Sequence, residues 1–233
     1  MKTKTRSISQ IVEEQVNRWR LIGPQKQQET AVLPVITISR EPGSGGNIVA
    51  NRVADMLGYD LFHQEVIHQM AQSSKVSTRL LETLDEKGLT ILEDWIASLV
   101  DEQHLWPDQY LQHLMKVIGT IGKHGAAVIV GRGANFIMPP QQRFSLRIVA
   151  PQSIRIENVA QTFDVPAKEA KRRVIRTESD RKAFIRKYFH ADIGDPLNYD
   201  LVLNTGSLSS EQAAEAVCGL AKSRTLGRLR ATA

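Results

Sequence analysis

A glycine-rich segment at residues 40–47, REPGSGGN, follows a short apolar, β-branched run at 33–39 and precedes an apolar helical pattern. Glycines let a backbone turn tightly, and the N–H groups at the start of a helix can then face a phosphate. The common phosphate-binding pattern is G-x-x-x-x-G-K-[ST]. Here Arg40 takes the first glycine position, Gly46 the lysine position and Asn47 the hydroxyl position. The segment predicts either a phosphate-binding loop of altered chemistry or a tight turn without a ligand.

A second candidate for anion binding is Arg132, which stands between Gly131 and Gly133 directly after the apolar run AAVIV at 126–130. Ligands of open α/β sheets bind at the carboxyl ends of the strands. An arginine between two glycines at such a place has room to contact an anion. The alternative interpretation is a salt bridge at the edge of the core.

The third candidate is the basic stretch 168–190, which holds nine basic and three acidic residues. Its net charge of +6 exceeds the +5 of the whole chain. Arginine suits bidentate contact with a phosphoryl group, whose transfer needs cations placed along its charge. A local basic cluster favours a particular anionic ligand over general coating of nucleic acid. The alternative interpretation is a solvated helix face.

Apolar runs that alternate with helical patterns predict the elements that position these candidates. Buried strands are expected at 33–39, 126–130, 146–150 and 200–204. This alternation is typical of an α/β fold whose parallel sheet is covered by helices on both faces. Helices are expected at 64–72, 77–87, 90–102 (with Thr90 as N-cap) and 166–190.

An amphipathic helix at 7–22 precedes this pattern, and Gly23-Pro24 and a polar linker separate the two. Its apolar stripe, which includes Trp19, needs a surface to pack against, either on its own domain or on a partner copy. We therefore expect a homodimer formed through this helix. The predicted organisation is an N-terminal helical extension at 1–30, one domain at 31–221 and a basic tail at 222–233.

Composition excludes several classes of protein. The chain has 233 residues with 42% hydrophobic and 24% charged residues, which is ordinary for a globular protein. The lone Cys218 permits no intrachain disulfide, and no apolar run approaches the roughly 18 residues of a membrane span. The six histidines show no metal-ligand spacing with cysteine, so no metal site is expected. We expect a cytoplasmic protein without membrane contact or specific nucleic-acid binding.

Three segments together resemble the cytidylate kinase-like proteins, a branch of the P-loop nucleoside monophosphate kinases. They are ITISREPGSGGNIVANRVADMLGYDLFHQEVI, VIVGRGANFIM and SDRKAFIRKYFHADIGDPLNYDLVLNTGSLSSEQA. The resemblance covers about residues 33–221. It implies a three-layer P-loop fold with a parallel sheet of about five strands, a helical insertion at 62–124 on the acceptor side and a lid at 168–196 on the donor side.

The resemblance also implies a reaction, namely transfer of the γ-phosphoryl group of ATP to a small acceptor such as a nucleoside monophosphate, with Mg2+ between the β- and γ-phosphates. The residues expected to bind the ATP phosphates are Arg40, Gly43, Ser44, Gly45, Gly46 and Asn47. Members of this branch commonly carry glycine at the lysine position, and Arg40 would supply the missing cation. The residues expected to act in phosphoryl transfer are Arg132, Asp180, Arg181 and Arg186, and those expected at the acceptor are His63 and Arg132.

Two departures from the family pattern concern the acceptor. Cytidylate kinases carry G-R-D at the strand end, where the aspartate helps to read cytosine, and this chain has Gly133 there. They also carry D-S-G-x-x-Y-R in the acceptor helix, where this chain has residues 63–69 (HQEVIHQ). CMP is therefore expected to be a poor acceptor. Two alternatives stay open: a catalytically impaired regulatory module that binds nucleotide, and a kinase of a non-nucleotide small molecule.

Overall fold

A computed structural model describes residues 8–22 and 34–231, and its centre is a parallel sheet. The strands are β1 (Val35–Arg40), β2 (Asp60–Phe62), β3 (Ala127–Val130), β4 (Arg143–Val149) and β5 (Leu201–Asn204). Their order in the sheet is β2-β3-β1-β4-β5, and every pairing is parallel. This arrangement confirms the predicted α/β fold with about five parallel strands. Because β1 lies between β3 and β4, the segments that leave these three strands emerge side by side.

The main core lies on one face of the sheet, beneath helices α2 (Gly46–Leu57) and α10 (Ser210–Ala231). Alternate residues of β1, Ile36 and Ile38, point to this face and are buried with Val49 of α2 and Val217 of α10. Burial of one such aliphatic side chain contributes about 1.5–3 kcal/mol. This packing fixes the direction in which β1 delivers the chain into the glycine-rich loop.

Three further helices follow the central strands. Helix α7 (Ala134–Ile137) comes after β3, whereas α8 (Gln152–Phe163) and α9 (Ala167–Phe189) come after β4. Helices α8 and α9 pack through a small separate apolar cluster of Val159, Ala170 and Val174. The helix expected at 166–190 is thus present as α9. Helix α10 runs to Ala231, so residues 222–231 of the predicted basic tail continue a helix.

The described residues of 8–22 and 63–125 form a second compact unit, made of helices. Its helices are α1 (Ile8–Ile22), α3 (Gln64–Gln72), α4 (Ser74–Leu81), α5 (Glu86–Glu102) and α6 (Gln109–His124). The helix expected at 77–87 has the wrong range, because α4 ends at Leu81 and residues 86–87 already belong to α5. The N-cap of the next helix is Asp85, whose carboxylate accepts a hydrogen bond from the Gly88 amide at 2.8 Å, and not Thr90.

The apolar stripe of α1 is buried within this helical unit. Val12, Val16 and Trp19 are at most 5% exposed, and the Trp19 ring stacks on His124 with a centroid distance of 4.0 Å. Of the two expected surfaces, the helix therefore packs on its own chain. Residues 1–7 and 23–30 of the predicted extension lie outside the described residues. Across the described ranges, none of the helices is long and apolar enough to cross a membrane.

His124 makes the stability of the protein pH-dependent. Burial lowers its pKa from 6.5 to about 4, so the unfolded chain binds a proton between these values that the folded chain does not. The stabilisation is complete above pH 6.5 and is lost as the pH falls toward 4, by at most about 3 kcal/mol.

His124→Phe keeps a ring against Trp19 and removes the titrating group. Urea unfolding between pH 7 and pH 4 should therefore show a smaller loss of stability for the variant than for the parent protein. If the stability of the two proteins depends on pH in the same way, His124 takes up its proton at the same pH in the folded protein as in the unfolded chain.

Candidate functional site

The glycine-rich loop turns tightly between β1 and α2. Gly43 and Gly45 have φ values of +79° and +72°, in the left-handed region where glycine is favoured. The Ser44 amide and hydroxyl both donate to the carbonyl oxygen of Glu41, at 3.3 and 2.9 Å. Gly45 is the N-cap of α2 and has no side chain to satisfy the helix amides. The loop therefore presents backbone N–H groups at the beginning of a helix.

Neighbouring segments hold the carbonyl side of the loop. Asn158 donates to the Gly43 carbonyl oxygen at 2.8 Å, and Thr205 donates to that of Ser44 at 2.7 Å. Across the part of the chain that the structure describes, the amides of Gly45, Gly46 and Asn47 donate to no protein acceptor. Unsatisfied amides at a helix N-terminus attract anions. The loop has the backbone geometry of a phosphate cradle.

Arg40 lies beneath this loop and explains the unusual residues at the lysine and hydroxyl positions. Its side chain is buried, at 6% exposure, and its Nε donates to Oδ1 of Asn47 at 3.0 Å. A Cβ at Gly46 would lie 2.6 Å from the Arg40 Cβ, so close that one of the two segments would have to shift. A lysine at position 46 thus does not fit while Arg40 occupies its place, and the arginine brings a positive charge to the same loop.

An ion network that the sequence did not reveal joins the loop to α8 and α9. The Arg155 guanidinium contacts the Glu41 carboxylate at 3.2 Å and the Glu178 carboxylate at 3.0 Å. Glu41 also accepts a hydrogen bond from the Ala150 amide at 3.0 Å. The hydrogen bond from Lys182, followed by that from Arg155, holds the pKa of Glu178 below its usual value. Arg155 is 114 residues from Glu41 and 23 from Glu178, so no local pattern reveals these two pairs, whereas Lys182 and Glu178 are an i,i+4 pair on α9.

One face of α9 crosses the carboxyl edge of the sheet. Glu178 contacts Arg155, which follows β4, and Arg181 donates to the Arg40 carbonyl oxygen at the end of β1, at 2.7 Å. Arg132 follows β3, and its guanidinium carbon lies over the Phe184 ring, 5.3 Å from the ring centroid. Residues three apart share a helix face, and their contacts follow the sheet order β4, β1, β3. The helix thus brings Arg181 and Arg132 to neighbouring strand ends.

The turn after β3 holds Arg132 in an uncommon conformation. Its φ is +54°, between Gly131 at +81° and Gly133 at +67°. A Cβ at Gly133 would lie 2.2 Å from the ring of Phe189, so the aromatic side chain fills the place that a side chain at position 133 would take. Arg132 Nε is buried and has no hydrogen-bond partner among the described residues.

The remaining predicted site residues are not brought into this arrangement by direct contact. The side chains of Asp180 and Arg186 are exposed on α9 and make no hydrogen bond or ion pair with other described residues. His63 is the N-cap of α3 in the helical unit. The roles expected for these three residues stay predictions.

A second buried polar group lies on the other face of β1 and β4. Arg147, 5% exposed, donates to the Ser39 hydroxyl at 2.7 Å, and the Tyr199 hydroxyl donates to the same oxygen at 3.3 Å. Burial raises the pKa of Tyr199. The signal that could have revealed this cluster is the arginine within the apolar strand LRIVA. It ties the segment after α9 to the strand that leads into the loop.

The residues present fit ATP phosphates better than a protein-bound metal ion. The three amides of the loop suit phosphate oxygens, whereas Asn47 Oδ1 is engaged by Arg40. Nowhere in the described ranges do three carboxylate, histidine or cysteine side chains form a metal-binding group. Within residues 8–22 and 34–231, side chains therefore supply no three-ligand site that would hold Mg2+ without the nucleotide.

The sheet order and the phosphate-cradle loop between β1 and α2 define a P-loop fold of the kinase type. Residues 35–207 match the cytidylate kinase-like family. The cytidylate kinase of Halorubrum lacusprofundi is 28% identical over 179 residues, which cover 76% of this chain and 84% of that protein. The cytidylate kinase of Ignicoccus hospitalis is 23% identical over 185 residues, which cover 79% and 97%.

A crystal structure of an uncharacterized protein from Eubacterium ventriosum has the same fold, with a TM-score of 0.64, 23% identity, and coverage of 82% of this chain and 99% of that one. The chain belongs to the cytidylate kinase-like family, as its sequence indicated. The family and these relatives place it among the kinase-type phosphotransferases.

Three glycine variants test the packing of the loop. Gly43, Gly45 and Gly58 all have positive φ, so replacement by alanine costs each about 1 kcal/mol from backbone conformation. Only at Gly43 would the new Cβ meet a backbone atom, the Arg155 carbonyl oxygen at 2.3 Å; at the other two nothing lies within 4 Å.

Urea unfolding should show that Gly43→Ala loses about 1–3 kcal/mol more stability than Gly45→Ala or Gly58→Ala, because the overlap forces the backbone to move. The same loss for all three variants would show that the loop does not pack against the start of α8.

Proposed function

We propose that this protein transfers the γ-phosphoryl group of ATP to a small acceptor that itself carries a phosphate, a nucleoside monophosphate. The observation that carries the proposal is the convergence of one phosphate cradle and two arginines at the carboxyl ends of β1 and β3. Arg181 reaches the strand end that precedes the cradle, and Arg132 stands at the neighbouring strand end. A donor phosphate and an acceptor need this pair of adjacent anion sites.

The donor side is the loop at 43–47. Gly43 and Ser44 shape it, and the amides of Gly45, Gly46 and Asn47 bind the β- and γ-phosphate oxygens. Arg40 lies beneath the loop and supplies the charge that lysine gives in the common pattern. Mg2+ would be supplied with the nucleotide, where it would neutralise phosphate charge.

The chemistry is positioning and charge stabilisation. An acceptor oxygen forms a bond to the γ-phosphorus, the bond from that phosphorus to the bridging oxygen of ADP breaks, and the leaving oxygen keeps the electron pair. Arg132 and Arg181 stabilise the charge on the oxygens of the transferred group. Asp180 and Arg186 face solvent in this structure, so the proposal rests on the other two residues.

CMP is proposed to be a poor acceptor. The cytidylate kinase pattern that the sequence resembles has an aspartate at the position of Gly133, and here Phe189 fills the space that any side chain at this position needs. A base that loses its hydrogen-bond partner is discriminated against, because a buried polar group stays unpaired. The role of His63 in binding the acceptor stays a prediction from the sequence.

The altered loop favours a second candidate, a nucleotide-binding regulatory module without turnover, because Gly46 and Asn47 replace the lysine and hydroxyl residues of active P-loops.

A panel of acceptors separates the candidates: ATP turnover is measured with each nucleoside monophosphate and with small alcohols. Turnover with a monophosphate other than CMP supports the proposal. Turnover only with an alcohol, or ATP binding without turnover, replaces it with one of the alternatives, and preference for CMP refutes the stated specificity.

Arginine variants test the catalytic assignment on the best acceptor of that panel. Arg132→Ala and Arg181→Ala should each lower kcat by about 10³-fold, because each removes a cation from the charge that develops in transfer. Arg176→Ala is the control, since this exposed residue of α9 lies outside the site. If all three variants turn over alike, the basic stretch is a solvated helix face.

Two further expectations accompany this proposal. We place the reaction in the cytoplasm, because the lone Cys218 is a buried free thiol, which suits a reducing compartment. The homodimer expected from α1 stays a prediction, although Val12, Val16 and Trp19 of that helix are already buried against the same chain. Light scattering of the full chain, compared with a chain that starts at Ala31, reports the oligomeric state directly.

A further inference from the structure

We infer that Phe184 is a positioning residue, which holds the guanidinium of Arg132 so that its N–H groups stay available for a phosphoryl oxygen. The inference rests on the proposed function only in taking Arg132 as a ligand of the transferred or accepted phosphoryl group. Neither the family pattern nor the charge of the basic stretch points to an aromatic residue of α9.

The backbone of Arg132 is strained in a way that needs external support. A residue with a side chain seldom adopts a φ of +54°, and such conformations persist only where the surroundings over-determine them. The turn is held at Gly133, against which the Phe189 ring packs, and the Phe189 ring stacks on Phe136 at a centroid distance of 5.2 Å. Two aromatic rings thus fix the turn that carries Arg132.

A third ring, Phe184, fixes the side chain. The Arg132 guanidinium lies over its face at 5.3 Å, an attractive contact between a cation and the negative face of the ring. A carboxylate or a carbonyl would hold the same group by accepting its hydrogen bonds. An aromatic face consumes none of these donors, which project in the plane of the guanidinium.

Arg132 has an N–H donor that is available to a ligand. Nε is buried without a hydrogen-bond partner among the described residues, a state that costs free energy unless a ligand completes it. The ligand must be a hydrogen-bond acceptor, and the positive charge of the half-buried guanidinium favours an anion. Phosphoryl oxygens have both properties.

Phe184 also sets where this donor stands relative to the loop. It lies three residues after Arg181, on the same face of α9, and Arg181 is bonded to the Arg40 carbonyl oxygen at the base of the phosphate cradle. One rigid helix therefore spaces the two arginines. Loss of the ring at position 184 should move Arg132 without disturbing the loop that binds the donor.

Two substitutions separate positioning from simple packing. Phe184→Leu keeps an apolar side chain and removes the aromatic face, whereas Phe184→Tyr keeps the face. Phe163→Leu is the matched control, because Arg173 lies over the Phe163 ring at 5.4 Å on the surface, in a pair outside the site. Thermal unfolding verifies that each variant is folded.

The first readout is the ¹H–¹⁵Nε resonance of Arg132, identified by its loss in Arg132→Lys, during titration with inorganic phosphate and with pyrophosphate. The resonance should shift in the parent protein, in Phe184→Tyr and in Phe163→Leu, and should shift little in Phe184→Leu. The second readout is turnover: Phe184→Leu should lower kcat about tenfold with an unchanged KM for ATP, and Phe184→Tyr should restore it.

The outcomes distinguish this inference from the proposed function. An Arg132 resonance that responds equally in the parent and in Phe184→Leu, with equal kcat, overturns the positioning role and leaves the proposed function standing. A parent resonance that ignores both anions overturns the inference together with the assignment of Arg132. An unfolded Phe184→Leu leaves the comparison of Phe184→Tyr with the parent, where a lost response also overturns it.

Discussion

The site depends on one constraint, the path of α9 across the carboxyl edge of a parallel sheet. Three residues spaced by three positions meet the ends of three adjacent strands, in the order in which those strands lie in the sheet. Glu178 reaches the arginine after β4, Arg181 the last residue of β1, and Phe184 the arginine after β3. Because a helix is stiff over this length, the loop, the ion network and the arginine turn are fixed relative to one another.

The phosphate loop shows how one substitution requires another. The Arg40 side chain lies where the Cβ of a lysine at position 46 would have to be. Asn47 Oδ1 accepts a hydrogen bond from Arg40 Nε. The arginine, the glycine and the asparagine therefore form a set. The basic residue of this loop thus lies on the strand β1, whereas the common pattern has a lysine on the helix.

Local patterns were enough for the framework. The β-branched run at 33–39, the glycines after it and the periodicity of 166–190 each specify an element through neighbouring residues alone. The sequence misplaces the start of α5 because two residues could be its N-cap. The structure has Asp85, whose carboxylate accepts from the Gly88 amide, and not Thr90. Tertiary packing selects between two such local patterns, and a short stretch of sequence carries no information about that packing.

The contacts within the site could not be read from the sequence for a different reason. Arg155 pairs with Glu41, Arg147 with Ser39 and Arg132 with Phe184, at separations of 52 to 114 residues. The parallel register of β1 with β4 places Ser39 beside Arg147, and the path of α9 past the strand ends brings Phe184 to Arg132. The sequence marks several of these residues as unusual, such as an arginine in an apolar strand, but gives no partner for them.

The most direct test of the account is a titration of the backbone amides of Gly45, Gly46 and Asn47 by ¹H–¹⁵N NMR, with ATP and with adenosine. If these amides bind the donor phosphates, their proton resonances move downfield with ATP and stay in place with adenosine, while the Gly58 amide moves with neither. Shifts of equal size with both ligands, or none with ATP, would contradict the account, because the loop would then be a turn without a phosphate ligand.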